Sequence, residues 1–249
     1  MLSEEFIAIH KITGNKNKIY EDKLFDAFDL GLLSFPSARE IQNEFVKHRI
    51  TKESKRDVIL FCEHYPVITL GNRLLGIDGN RDLLVDLDVI KQKGIDIVET
   101  TRGGFVTFHG PGQIVIYPVI SLKSIRCGVK IFISEMLEIM AYIARSFGVN
   151  GYSKLNPAGV WVDESCPRKL CSVGLKIEYG VTNHGFSFNV DNDLWPYELF
   201  VPCGLSNAHI ATLSREMLFS NVQLPDEVLL RERVILKFCE LFSKWLGHF

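Results

Sequence analysis

Apolar positions along the chain follow two rhythms. A polar stretch, Ile12–Lys23, reads as an exposed loop, and Ser37-Ala38-Arg39-Glu40 then has the form of a capping box that opens a helix. Ala38, Ile41 and Phe45 give that helix one apolar face. Asp57–His64 and Val67–Gly71 are short apolar runs of strand length. Ile95–Leu122 alternates β-branched residues with glycines, which predicts two or three strands and a tight loop at His109–Gln113. Ile131–Phe147 returns to the helical period, with Phe132, Met136, Ile139, Ile143 and Phe147 on one side. Val160–Val162 and Lys169–Val190 resume the strand pattern, and a helix from about Asp226 to Trp245 follows Pro225. Helices and hairpin-like strands mix without regular βαβ alternation. That points to an α+β fold with a mixed, largely antiparallel sheet and packed helices. No repeat and no Pro/Gly/Ser linker divides the sequence, so residues 1–249 read as one domain.

Composition narrows the classes. The chain of 249 residues is 47% hydrophobic and 23% charged, which is ordinary for a globular protein and excludes disordered and low-complexity classes. Its net charge of −2 gives no general attraction to nucleic acid or to an anionic membrane. The uncharged stretch Gly103–Leu122 has the length of a membrane span. It carries His109, Gln113, Pro111 and Pro118, whose polar groups and breaks a bilayer helix would leave unsatisfied. Met1–His10 contains Glu4 and Glu5 and no long apolar core, so it resembles neither a secretory signal nor an Arg-rich transit peptide, and a cytoplasmic setting is expected. Six cysteines, at 62, 127, 166, 171, 203 and 239, include no Cys-x-x-Cys pair, so neither zinc nor a disulfide framework is expected.

Four segments carry candidate chemistry. Arg102-Gly103-Gly104-Phe105-Val106-Thr107-Phe108-His109 continues into Gly110-Pro111-Gly112-Gln113, where glycines let the backbone approach a ligand closely. It is no phosphate loop, since no Gly-Lys-Ser/Thr follows, and a plain glycine-rich hairpin is the competing reading. Lys169 opens the run Leu170-Cys171-Ser172-Val173-Gly174, and a lone lysine there is ordinarily solvated. Cys203 stands between Pro202 and Gly204, a turn that exposes a thiol more than a core strand does, and a nearby ammonium would raise its thiolate fraction. Cys171 is a rival, since two residues from Lys169 on a strand it would share a face with it. Thr-x-His-Gly occurs twice, at Thr107 and Thr182, so His109 and His184 are further candidate bases, and spacing does not choose among Lys169, His109 and His184.

Together these residues resemble the lipoyl(octanoyl) transferases of lipoate biosynthesis. The matching motifs are Glu63–Gly71, Arg102–Gln113, Lys169–Gly174, and Thr182–Val190 followed by Pro202-Cys203-Gly204, and weaker similarity runs from Asp29 almost to the C-terminus. The resemblance implies a fold shared with biotin and lipoate protein ligases. It implies Cys203 as acyl-accepting nucleophile and Lys169 as its partner. It places the substrate pocket at Arg102, Gly103, Gly104, Phe105, Val106, Thr107, Phe108, His109, Ser172, Val173, Gly174, Gly185, Phe186 and Ser187. Octanoyl-loaded acyl carrier protein would be the donor. Lipoyl domains of 2-oxoacid dehydrogenase E2 subunits and the glycine cleavage H protein would be the acceptors, with no metal or ATP. Phe105, Val106, Phe108 and Phe186 would wall the acyl chain, and Lys123, Arg126 and Lys130 would steer acidic partners. The sequence departs from the family at Phe108 (usually Tyr), at Tyr65 (usually Pro) and at the inserted Ser165-Cys166-Pro167. Competing readings are an ATP-dependent lipoate ligase, a Cys-His thioester hydrolase and a catalytically silent lipoyl-domain binder.

Overall fold

The computed structural model describes residues 17–74, 82–202 and 209–248. Cys203 and Gly204, and the N-terminal segment through residue 16, therefore lie outside the described residues. The expected loop over 12–23 gives way to strand β1 (Lys18–Glu21), which hairpins with β2 (Phe25–Leu33). Lys18 Nζ lies 2.8 Å from Asp26 and 3.1 Å from Glu21 on this edge, while Ile19 and Tyr20 pack on the core and Tyr20 stacks on Phe25 at 5.5 Å.

Helix α1 (Phe35–Thr51) starts ahead of the expected capping box, because Ser34, not Ser37, is its cap. The Ser34 hydroxyl accepts the Ser37 N–H at 3.2 Å, and Pro36 suits the first turn, where no N–H is required. Ala38 and Phe45 are buried on its inner face. Strands β3 (Asp57–His64) and β4 (Val67–Leu70) lie where the apolar runs predict them. After the short helix α2 (Leu87–Gln92) come β5 (Asp96–Glu99), β6 (Val106–His109) and β7 (Gln113–Val119), with the tight turn between the last two as expected. Helix α3 (Val129–Ser146) is followed by β8 (Gly151–Leu155), β9 (Ala158–Val162), β10 (Arg168–Val173), β11 (Lys176–Glu178), β12 (Val181–Asn183) and β13 (Phe186–Asn189). Strand β14 (His209–Ile210), helix α4 (Leu213–Phe219) and helix α5 (Glu227–Leu246), capped by Asp226 after Pro225, close the chain.

The main sheet runs β1-β2-β3-β7-β13-β10-β9-β8, with β14 beside β10. It is antiparallel except for the β2/β3 and β10/β14 pairs. A smaller sheet, β5-β4-β6, joins it through the β6–β7 turn. Alternation on β3 shows how the layers form. Ile59 and Phe61 face α3 and α5, whereas Val58, Leu60 and Cys62 face α1. Phe61 meets the Phe238 ring edge-on at 5.6 Å, and each such buried side chain contributes about 2–3 kcal/mol. A third apolar cluster, with Ile68, Val106, Phe108 and Tyr197, backs the smaller sheet. Among the described residues no helix is long and apolar enough to cross a membrane.

One buried ion pair ties α1 to the main sheet. Arg49 Nε donates to Asp57 Oδ1 at 2.7 Å, and the same oxygen accepts the Ser121 N–H at 2.9 Å. Both side chains are buried, so Arg49→Met strands a carboxylate without its cation and costs about 3–5 kcal/mol. The expected result is a thermal midpoint lower by roughly 10 °C; an unchanged midpoint in calorimetry would refute the importance of the pair.

Candidate active site

A cleft of about 450 Å³ opens where the smaller sheet meets the main one. Its floor is a cross-strand row: Ser172 on β10 pairs with Ser187 on β13, which pairs with Val115 on β7. The 102–105 loop forms one wall and the β8–β9 turn, Leu155 to Ala158, forms the opposite one. Gly185 is required at the floor. A Cβ there would sit 1.9 Å from the Ile116 carbonyl oxygen, so only glycine lets the chain enter β13 this close to β7.

Arg102 is turned inward and builds the wall. Its guanidinium donates to Thr69 Oγ1 (3.0 Å), to the Thr69 carbonyl (2.6 Å), to the Phe105 carbonyl (2.6 Å) and to the Gly103 carbonyl (3.0 Å). The side chain thus pins the glycine-rich loop to β4. The following turn is held from the other direction: Glu63 accepts the Gly112 N–H at 2.7 Å, and Arg231 of α5 lies 2.5 Å from the same carboxylate while also pairing with Asp29.

The histidines form part of a buried polar web. Gln113 donates its amide N–H groups to Asn189, Phe108 O and Tyr197, so its oxygen faces His109. His109 Nδ1 therefore carries the proton and donates to that oxygen at 2.7 Å. His64 Nε2 lies 2.9 Å from the Tyr117 hydroxyl, and His184 Nε2 lies 3.3 Å from Thr101 Oγ1. Burial is the main cause that pushes His64 down to about 4 and His109 down to about 3, the latter helped by His64 and Arg102. Burial, with the charges of Arg39 and Arg102, lowers His184 to about 2. Imidazoles this weakly basic are poor general bases near neutrality.

Lys169 also lines the cleft and is only 3% exposed, unlike the solvated lysine that its position in sequence suggested. Cys171 does not share its face. The pairing of β10 with β9 slips between Lys169 and Cys171, so Leu170 and Cys171 both enter the helix-side core. Burial pushes the Cys171 thiol far up, against the opposing pull of Lys169, and its sulfur rests against Met140. Cys62, Cys127 and Cys239 are buried as expected, whereas Cys166 is exposed in the inserted loop.

Of the expected pocket residues, Arg102, Gly103, Gly104, Phe105, Val106, Thr107, His109, Ser172, Val173, Gly174, Gly185, Phe186 and Ser187 all line this cleft. Phe108 does not. Strand alternation turns it to the back of β6, where its ring packs edge-on against Tyr197 at 5.8 Å. It is thus no wall of the cleft, and the hydroxyl it lacks is not missing from the cleft. Lys123 and Arg126 are exposed between β7 and α3, and Lys130 is exposed in the first turn of α3. The sequence reading missed Phe35, Tyr117, Ile133 and the β8–β9 turn as lining residues. Their local patterns are those of core helix, core strand and plain turn, and only chain packing brings them here.

The chain matches the model of the lipoyl protein ligase A/B catalytic domain over residues 37–232. It is 38% identical to an octanoyltransferase of Desulfotalea psychrophila, covering 76% of this chain and 82% of that protein. The chain belongs to the octanoyltransferase family. Within it, an octanoyltransferase of Maridesulfovibrio salexigens is 39% identical over 76% of this chain and 84% of its own, and the mitochondrial octanoyltransferase LIP2 of Arabidopsis thaliana 30% over 89% and 90%. The fold is that of lipoate ligases. The structure of a bi-partite lipoate protein ligase and its E2 lipoyl domain from Thermoplasma acidophilum aligns with a TM-score of 0.57 at 16% identity, covering 85% of this chain and 82% of that one. Lipoate-protein ligase A bound with ATP aligns with a TM-score of 0.57 at 16% identity over 90% and 86%.

Neutral buried histidines set a pH limit on this family member. Below its ordinary value of 6.5 each imidazole binds a proton in the unfolded chain, but the folded chain resists until about 4 at His64 and about 3 at His109. The unfolded state thus holds more protons in this window, and stability falls as pH falls. The thermal midpoint is expected to drop from pH 6.5 toward 4, and less steeply in His64→Gln; equal slopes for the two proteins would contradict this.

Proposed function

We propose that the chain transfers an octanoyl group from octanoyl-loaded acyl carrier protein to a lysine of lipoyl domains, through a thioester on Cys203. The observation that carries the reading is convergence. The segments around Arg102, Ser172 and Gly185 are far apart in sequence, yet they line one cleft together with the Lys169 ammonium. Cys203 follows Pro202 directly and precedes by six residues the strand β14, whose Ile210 is the register partner of Lys169. The names of the relatives as octanoyltransferases support the same transfer.

In the first step Cys203 thiolate attacks the donor's thioester carbonyl, and the carbon–sulfur bond to phosphopantetheine breaks. Lys169 ammonium supplies the proton to the departing thiolate. In the second step the amine of the acceptor lysine attacks the new thioester, neutral Lys169 takes its proton, and Cys203 leaves as thiolate. Exchange between thioesters is nearly isoenergetic and thioester to amide is downhill, so the reaction needs no ATP. The apolar lining, with Phe35, Phe105, Val115, Ile133 and Val173, suits a hydrocarbon chain at about 0.8 kcal/mol per buried methylene. The low basicity of His109 and His184 weighs against a Cys-His hydrolase. Acceptors would be the lipoyl domains of 2-oxoacid dehydrogenase E2 subunits and the glycine cleavage H protein, with Lys123, Arg126 and Lys130 steering acidic partners. We read residues 1–249 as one catalytic domain working in the cytoplasm.

Intact-mass analysis after incubation with octanoyl carrier protein tests the reading. Wild type should gain one octanoyl group on the peptide that holds Cys203, and Cys203→Ser should not form this thioester. Lys169→Ala should acylate roughly 10²–10⁴-fold more slowly at neutral pH and recover in part as pH rises. An adduct on another peptide, or ATP-dependent attachment of free lipoate in its place, would overturn the assignment.

A further inference from the structure

The cleft wall behind Lys169 contains an aromatic platform. Tyr152, Trp161 and Lys169 stand in one row across β8, β9 and β10, each the register partner of the next. Lys169 Nζ lies 4.9 Å from the centroid of the Trp161 ring. Lys169 is 3% exposed and Trp161 5% exposed, so this cation and this ring face each other largely out of water. The face of an indole is the negative pole of its quadrupole, and its attraction for an ammonium strengthens as water is removed.

Two further contacts fix the arrangement. The Trp161 indole N–H donates to the Pro157 carbonyl at 3.3 Å, in the turn that forms the cleft's outer wall, so the ring is tied to the wall it supports. Opposite Ser172 on the neighbouring strand is Gly159. A Cβ at this glycine would sit 2.7 Å from Lys169 Cε and 3.4 Å from Trp161 Nε1. The missing side chain is the space through which the lysine stem passes along β9. Lys154 Nζ lies 5.8 Å from the same ring, but it comes from the exposed end of β8 and sits closer, at 5.0 Å, to Tyr152.

We propose that Trp161 is a positioning residue for acyl transfer: its ring face holds the Lys169 ammonium at the cleft wall, in the slot that Gly159 leaves open. This rests on the reading of Lys169 as the partner of Cys203. Trp161 itself touches no reacting atom, and its whole effect on the reaction passes through the lysine.

A double-mutant cycle separates this role from a structural one. The measured quantity is the single-turnover rate of octanoyl-thioester formation on Cys203, followed by intact mass for wild type, Trp161→Leu, Trp161→Phe, Lys169→Ala and Trp161→Leu/Lys169→Ala. Trp161→Leu should slow acylation roughly tenfold while the half-saturating donor concentration stays within about twofold, and Trp161→Phe, which keeps a ring face, should stay within about threefold of wild type. In the Lys169→Ala background the leucine substitution should change the rate by less than about twofold, because the cation it acts through is gone. Equal fractional losses in both backgrounds, or a Trp161→Leu protein at the wild-type rate, would overturn the proposal. If Trp161→Leu does not fold, Trp161→Met, which also lacks a ring face, runs through the same cycle, where a loss that disappears without Lys169 supports the role, and a loss that persists or the wild-type rate refutes it. Wild-type protein that carries no octanoyl group on the Cys203 peptide removes the underlying reading instead, so the two failures are distinguishable.

Discussion

A buried guanidinium holds the junction on which the cleft depends. The four hydrogen bonds of Arg102 to Thr69, Gly103 and Phe105 lock the glycine-rich loop onto β4, and that loop is the wall between the smaller sheet and the main one. A charge this deeply placed is tolerated because carbonyl oxygens meet its N–H groups, and leaving any of them unmet would cost far more than the bond itself contributes. The same charge acts on the surroundings. Burial is the main cause that lowers the proton affinity of His109 and His184, and the Arg102 charge adds to it, so the cleft is lined by neutral imidazoles that serve as fixed hydrogen-bonding parts.

The junction is braced from several directions. Glu63 at the end of β3 holds the Gly110–Gly112 turn, and Arg231 of α5 lies against Glu63, so the last helix reaches the β6–β7 turn through two side chains. Gln113 orders His109, Asn189 and Tyr197 into one web with defined donors and acceptors. Such a web fixes geometry because each member has a single satisfied orientation. Against this rigid frame the cleft presents Lys169, from a strand whose slipped pairing sends its neighbours Leu170 and Cys171 into the core.

Much of the fold was legible because its elements are long and strongly periodic. The apolar stripes of α3 and α5 and the buried run of β3 follow directly from side-chain spacing. Where expectation failed, a local rule had a competitor. The polar segment before Phe25 forms an edge strand because Ile19 and Tyr20 pack against the core and Lys18 pairs with Asp26, contacts that a mostly polar stretch of sequence does not announce. The start of α1 moved to Ser34 because Ser34 and Pro36 together offered a cap as good as Ser37. Cys171 was a reasonable rival by strand alternation until a bulge, which depends on the neighbouring strand, reversed its direction.

The sequence by itself determined most of the secondary-structure types, the family and the residue chemistry available: glycines where backbone must approach closely, a lysine opening the Leu170–Gly174 run, and a cysteine between a proline and a glycine. These are properties of local spacing and side-chain type, which the chain carries before it folds. Tertiary structure alone decided that Arg102 builds the wall, that Phe108 faces away from the cleft, that His64, His109 and His184 are neutral, and that Lys169 rests on Trp161. Each of these depends on burial and on a partner distant in sequence. Desolvation and orientation are set by what packs against a residue, and no residue carries that information in its own neighbourhood.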